Sequence, residues 1–124
     1  MTFAAPIPIL RSFDEAKARE FYIDFLGFDI VFEHRFADDL PLYLAVKRGD
    51  CEIHLSEHHG DATPGGAMRI AVPDVRQYCK DLNAKRYQNA RPGVQRQPFG
   101  FDDMTITDPF GNHLTFCTAL NPSM

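Results

Sequence analysis

The sequence predicts an α+β fold assembled from two copies of one β-α-β-β-β unit, and three observations carry that prediction. Two capping-box signatures, Ser12 with Glu15 and Asp74 with Gln77, stand about sixty residues apart, and each opens an apolar stripe at helical spacing. One strand-like run precedes each stripe and several follow it. A breaker-rich stretch lies between the two halves, so the pattern stops and restarts.

The first half begins with Pro6-Ile7-Pro8-Ile9-Leu10, which has two prolines and no helical period, as expected of an extended strand at an edge or at a crossing between subunits. Ser12 and Glu15 then cap a helix in which Ala18, Phe21, Tyr22 and Phe25 recur at i, i+3, i+4 and i+7. Leu26-Gly27-Phe28 closes it, because glycine adopts the left-handed conformation of a helix C-terminus without steric penalty. Strand-like runs follow at Phe28 to His34, Leu42 to Lys47 and Cys51 to Ser56, the last two joined by the hairpin turn Arg48-Gly49-Asp50.

The second half repeats the order. Met68, Ile70 and Val72 alternate with Arg69 and Ala71 as a strand, and Val75, Tyr78, Cys79 and Leu82 form the next helical stripe. A loop is expected from about Asn89 to Gly100, with only a weak strand signal near Val94. Strands are expected at Asp102 to Thr107 and Asn112 to Thr118, joined by the turn Asp108-Pro109-Phe110-Gly111-Asn112. Module one thus spans 5–57, a linker 58–66 and module two 67–120, within a single domain 1–124.

Composition narrows the function classes. At 124 residues and 44% apolar, the chain suits one domain with a real core. Its formal charge of −4 disfavours a nucleic-acid or anionic-membrane surface and favours a neutral or cationic ligand. Cys51, Cys79 and Cys117 are odd in number and form no C-x-x-C pair, which points away from a disulfide framework and towards a reducing compartment. No run approaches the roughly 18 apolar residues of a spanning helix. Met1 to Pro8 lacks the basic start and long apolar run of a signal peptide, so a cytoplasmic location is expected. The sequence also lacks a G-x-S-x-G elbow, a phosphate-binding glycine loop and a cysteine flanked by an evident base.

The run Pro8-Ile9-Leu10, the capped helix with Glu20-Phe21-Tyr22, Leu26-Gly27-Phe28, Gln97-Pro98-Phe99-Gly100 and Asp108-Pro109-Phe110-Gly111-Asn112 resembles the glyoxalase/bleomycin resistance (vicinal oxygen chelate) superfamily over nearly the whole chain. Within it, the phrase around Phe99 and the chain length are most like the bleomycin resistance proteins. The resemblance implies that each module curls its sheet into a cup and that two chains pair with clefts between them, with exchange of the N-terminal arm. It further implies an antibiotic-resistance-type protein that sequesters bleomycin-like drugs or another planar cationic small molecule in those clefts, without catalysis and without a cofactor. The alternative is a divalent-metal-dependent lyase, isomerase or thiol transferase of the same superfamily.

Metalloenzymes of that superfamily draw one His, Glu or Gln from each of four strands. The corresponding positions here are Ile7, His54, Ala67 and Thr115, so His54 is the only plausible metal ligand and no metal site is expected. Taken with the missing catalytic motifs, this argues against an enzyme and assigns no catalytic residue.

The candidate ligand-binding residues are Phe32, Phe36, His54, Ser56, Phe99, Asp103, Gly111 and Thr115. Alternation turns Glu52, His54 and Ser56 to one face of their strand and Ile53 and Leu55 to the other; likewise Thr115 opposes Leu114 and Phe116. The resemblance places Phe99 where resistance proteins carry a tryptophan that stacks on the drug's flat bithiazole, and Phe32 and Phe36 near aromatic cleft positions. It makes Ser56 a ligand-contact position, and Gly111 lies in the shared turn motif. Asp103, with Asp102, Asp38 and Asp39, would lend negative potential to a cleft mouth.

Overall fold

The computed structural model describes residues 1–120, so the last four residues of the expected 1–124 domain lie outside the described residues. The chain separates into two compact units, the first Met1–Gly66 and the second beginning at Ala67.

In the first unit, β1 (Ile9–Arg11), α1 (Glu15–Arg19), a π-helix (Glu20–Phe25), β2 (Asp29–His34), β3 (Tyr43–Arg48) and β4 (Cys51–Ser56) follow one another. The sheet order is β1-β4-β3-β2, with β1 parallel to β4 and the other pairs antiparallel. The second unit has β5 (Ala67–Ala71), α2 (Val75–Ala84), β6 (Gln95–Gln97), β7 (Phe101–Thr107) and β8 (His113–Ala119), in the order β5-β8-β7-β6. Its parallel pair is again the outermost, β5 with β8. Both units therefore have the βαβββ connectivity expected from the repeat.

The helical stripe of the first unit is buried as its spacing requires: Ala18, Phe21, Tyr22 and Phe25 are inaccessible, as are Leu10, Leu44, Val46, Ile53 and Leu55 on the strands. Phe21 and Tyr22 meet edge to face, with centroids 5.0 Å apart. The cap is Asp14 rather than Ser12: its carboxylate accepts from Lys17 N at 2.9 Å. Ser12 is still in the strand ladder, its N–H donating to Ser56 O at 3.0 Å, so helical dihedrals begin only after Asp14. Past Arg19 the helix widens, Leu26 N donating to Phe21 O five residues back, and Gly27 at φ +83° ends it.

In the second unit Val75, Leu82, Met104, Ile106, Leu114 and Phe116 are buried, and Tyr78 of α2 meets Phe116 of β8 edge to face at 5.1 Å. Asp74 caps α2 as expected, accepting from Gln77 N at 3.1 Å. The expected loop before Gly100 contains β6, whose Gln95, Arg96 and Gln97 pair with Asp103, Asp102 and Phe101. Gln97-Pro98-Phe99-Gly100 is consequently a hairpin turn, closed by Gly100 N donating to Gln97 O at 3.2 Å. The turn at 108–112 is built on Asp108, whose Oδ1 accepts from the backbone N–H groups of Phe110 and Asn112 at 2.9 and 2.8 Å. Gly111 there has φ +87°. No helix among the described residues is long and apolar enough to cross a membrane.

Candidate functional site

Register sets the side-chain order on one face of the first unit's sheet. Ile9, His54, Ala45 and Phe32 lie level across β1, β4, β3 and β2; the neighbouring row is Arg11, Ser56, Tyr43 and His34. Ala45 offers no bulk between its neighbours, so the rings of Phe32 and His54 meet edge to face at 5.4 Å. Tyr43 stacks parallel to Phe32 at 6.1 Å and is edge-on to His54 at 5.2 Å. Three rings from three strands thus form one cluster.

Hydrogen bonds lock its polar side. His54 Nε2 lies 2.7 Å from Glu52 Oε2 and His54 Nδ1 lies 2.6 Å from Tyr43 Oη. An ionised carboxylate only accepts, so Nε2–H donates to Glu52, and in the tautomer with its one proton there Nδ1 accepts from Tyr43 Oη. Burial above all, then the negative charges of Asp61 and Glu52, pushes the Tyr43 phenol above its ordinary pKa. It stays protonated through the physiological range.

The other first-unit candidates divide. Phe36 projects from the loop after β2, 76% exposed, with His34 at 4.6 Å and His58 at 6.0 Å. Ser56 is fully buried and its hydroxyl is occupied: it donates to Asp61 Oδ2 at 2.6 Å and accepts from His58 N at 3.1 Å. It ties the start of the 58–66 stretch to the end of β4.

In the second unit, Asp103 does not stand as a lone charge. It is buried on β7 and holds Arg69 of β5 through both oxygens, at 2.8 and 3.0 Å. The guanidinium lies over the rings of Phe101 and Phe99, 5.3 and 5.8 Å from their centroids. Phe99 itself is 61% exposed at the tip of the β6–β7 hairpin. Thr115 is level with Arg69 and Thr105, and its hydroxyl is 2.8 Å from that of Thr105. Gly111 sits in the β7–β8 turn, apart from these side chains along the sheet. Asp102, next to Asp103 but on the opposite face of the strand, is gripped by Arg76 at 2.9 Å and Arg96 at 3.1 Å. Those bonds, Arg96's first, hold its carboxyl below the usual range.

Residue-pattern reasoning singled out neither Tyr43 nor Arg69. Tyr43 had a usable signal, since it alternates with Leu44 and Val46 in the same sense as Ala45. Arg69 had one as well: it is an arginine alternating with apolar Met68 and Ile70 in the middle of a strand.

The four positions a superfamily metal would use do not fit one. Ile7 precedes β1, Ala67 and Thr115 supply neither imidazole nor carboxylate, and both nitrogens of His54 are already bonded. Among the described residues no group of three or more His, Cys, Asp or Glu converges as a metal shell. A separate hollow of about 490 Å³ lies at the start of α1, lined by Phe13, Asp14, Glu15, Ala16, Arg19 and Glu57. Its carboxylates serve Lys17 N, Arg19 and Leu42 N.

The family model described as glyoxalase superfamily protein matches residues 1–123. No curated protein matches the chain. Among solved structures, a bleomycin-binding protein from Streptomyces verticillus, complexed with copper(II)-bleomycin, is 27% identical over 96% of this chain and 98% of its own, with a TM-score of 0.69. A bleomycin resistance determinant encoded on the transposon Tn5 is 19% identical over 94% of this chain and 98% of its own, at TM-score 0.71. A lactoylglutathione lyase from Agrobacterium tumefaciens is 18% identical over 100% of both chains, at TM-score 0.72.

Proposed function

The chain belongs to the glyoxalase superfamily, and on that premise we propose that it binds a planar small molecule, a bleomycin-like drug or another flat cationic compound, without making or breaking a bond. The observation that carries this reading is the Phe32–Tyr43–His54 ring cluster, with Phe32 exposed and Glu52 bonded behind the imidazole. Flat apolar surface leaving water for such a face gains about 25 cal/mol per Å². A ligand cation over the rings adds about 0.5–2 kcal/mol. The likeness to a bleomycin-binding protein supports the ligand class.

In this reading residues 1–124 form one domain, and two chains pair in the cytoplasm so that their clefts lie at the interface. Phe3, Ile7, Ile9, Phe13, Ile30 and Val31 are exposed, and their concentration in the N-terminal segment and β2 supports pairing and an N-terminal arm that crosses to the partner. Resistance follows by titration of the drug.

The test is calorimetric titration of metal-free bleomycin and copper-bleomycin into the purified protein, with sedimentation and metal analysis of the same sample. Saturation near one drug per chain of a dimer that carries no stoichiometric metal supports sequestration. Stoichiometric divalent metal retained through gentle purification, with no drug binding, overturns it in favour of a metal-dependent lyase, isomerase or thiol transferase.

A further inference from the structure

The acidic composition favours a cationic ligand, yet the most exposed aromatic of the second unit stands beside a fixed positive charge. Phe99 at the hairpin tip and Phe101 at the start of β7 lie 5.9 Å apart, and the guanidinium of Arg69 is over both. Arg69 reaches them from β5, at the far edge of the sheet from β6. On the two strands between, Cys117 of β8 is level with Asp103 of β7 and with Ala71 of β5.

Asp103 fixes that arrangement. Its carboxylate is buried and spends both oxygens on Arg69, while Arg69 remains 47% exposed. Two of the five guanidinium N–H donors point down to the carboxylate. That bond uses one hydrogen each of Nη1 and Nη2; Nε–H and the second hydrogens of Nη1 and Nη2 remain, beside the Cys117 thiol, in a plane set by a bidentate bond rather than by a free rotor. Arg69 is therefore presented as a rigid planar donor bordered by two phenyl rings, with the hydroxyls of Thr105 and Thr115 level with it on the same face.

Resting on the planar-ligand reading above, we infer that Arg69 is a specificity-determining residue that selects flat aromatic ligands bearing a carboxylate or comparable anionic oxygen acceptor on the ring system. The ring lies against Phe99 and Phe101, and the acceptor takes guanidinium hydrogens that Asp103 leaves. Asp103 is a positioning residue: it sets the plane of Arg69 and touches no ligand. A ligand that is cationic elsewhere is still admitted, and a positive group on the ring at Phe99 and Phe101 binds more weakly there than an anionic one.

The test uses three probes that share one ring: 2-naphthoate, 2-naphthalenemethanol and 2-naphthylmethylammonium. The chain has no tryptophan, so naphthalene fluorescence reports binding without indole background. The full-length protein is expected to bind the carboxylate at least about tenfold more tightly than the alcohol, the advantage of a charge-assisted bond over a neutral one, and the ammonium least. Arg69→Gln abolishes the preference. Arg69→Lys keeps part of it, because the charge stays and the planar fork is lost. Asp103→Asn, with Arg69 still present, weakens the preference too, which a residue needed only for folding would not do. Binding of all three probes alike, or a preference that survives Arg69→Gln, overturns the inference while the planar-ligand reading stands. Failure of all three, together with no heat from bleomycin, removes that reading and the inference with it.

Discussion

Tyr43 donates its phenolic proton to His54 across the β3–β4 pair, at 2.6 Å, while the other ring nitrogen of His54 is held by Glu52 at 2.7 Å. The imidazole thereby has one tautomer and one orientation, and its edge-on contacts to Phe32 and Tyr43 are fixed with it. Tyr43→Phe keeps the ring stack and deletes the donor to a half-buried nitrogen. The expected cost is about 1 kcal/mol in urea unfolding, with the slope unchanged. The histidine tautomer, read from imidazole nitrogen shifts, should become mixed; a variant that keeps the single tautomer would show that Glu52 alone sets it.

Ser56 predicts a local effect rather than a global one. Its hydroxyl joins Asp61 and the His58 backbone to the end of β4. Ser56→Ala should free the 58–66 stretch, so limited proteolysis there accelerates by several-fold while overall stability falls by only about 1 kcal/mol. Unchanged cleavage would mean that the stretch is held by other contacts.

These two residues also mark how far the sequence can be read. The stripe Ala18, Phe21, Tyr22 and Phe25 is legible because burial of a helix face imposes a period on neighbouring residues, and both modules repeat it. The Asp14 cap is not: Ser12 satisfies the same letter pattern, and only a long-range bond to Ser56 keeps it out of the helix. Strand β6 is illegible for a similar reason, since Gln-Arg-Gln at a sheet edge carries no apolar alternation and is a strand only through its pairing with β7. Within the candidate site, Phe32 and His54 follow from alternation and resemblance. The role of Asp103 does not, because the sequence shows a carboxylate beside another carboxylate, whereas the fold brings Arg69 to one and Arg76 with Arg96 to the other.

Gly27 and Gly49 separate backbone strain from steric clash. Both have positive φ, +83° and +59°, but a Cβ at Gly27 would lie 2.9 Å from Arg48 Nη1 and one at Gly49 would meet nothing. That guanidinium is not idle: Nη1 donates to Leu26 O at 2.7 Å, capping the carbonyl end of the π-helix. Gly49→Ala should cost about 1 kcal/mol for the left-handed backbone alone. Gly27→Ala should cost roughly 1 kcal/mol more, because the displaced arginine also loses its carbonyl. Equal losses in urea would mean that Arg48 swings aside freely.

The pH dependence of stability should show the hold of Arg96 and Arg76 on Asp102. Those bonds depress its folded-state pKa, so the native chain gives up this proton more readily than the unfolded one. For a depressed carboxyl, the stabilisation is fully present above the unfolded value of about 3.9 and is lost as pH falls through the lower, folded value. Asp102→Asn should therefore be less stable than the parent at neutral pH, and the gap in urea midpoint should narrow as the solution is taken below about pH 4. Both arginines are half exposed or more, so the gap should also shrink in high salt. A gap that stays constant from pH 7 to pH 3 would assign the loss to amide packing against Arg76 and Arg96 rather than to the carboxylate's charge.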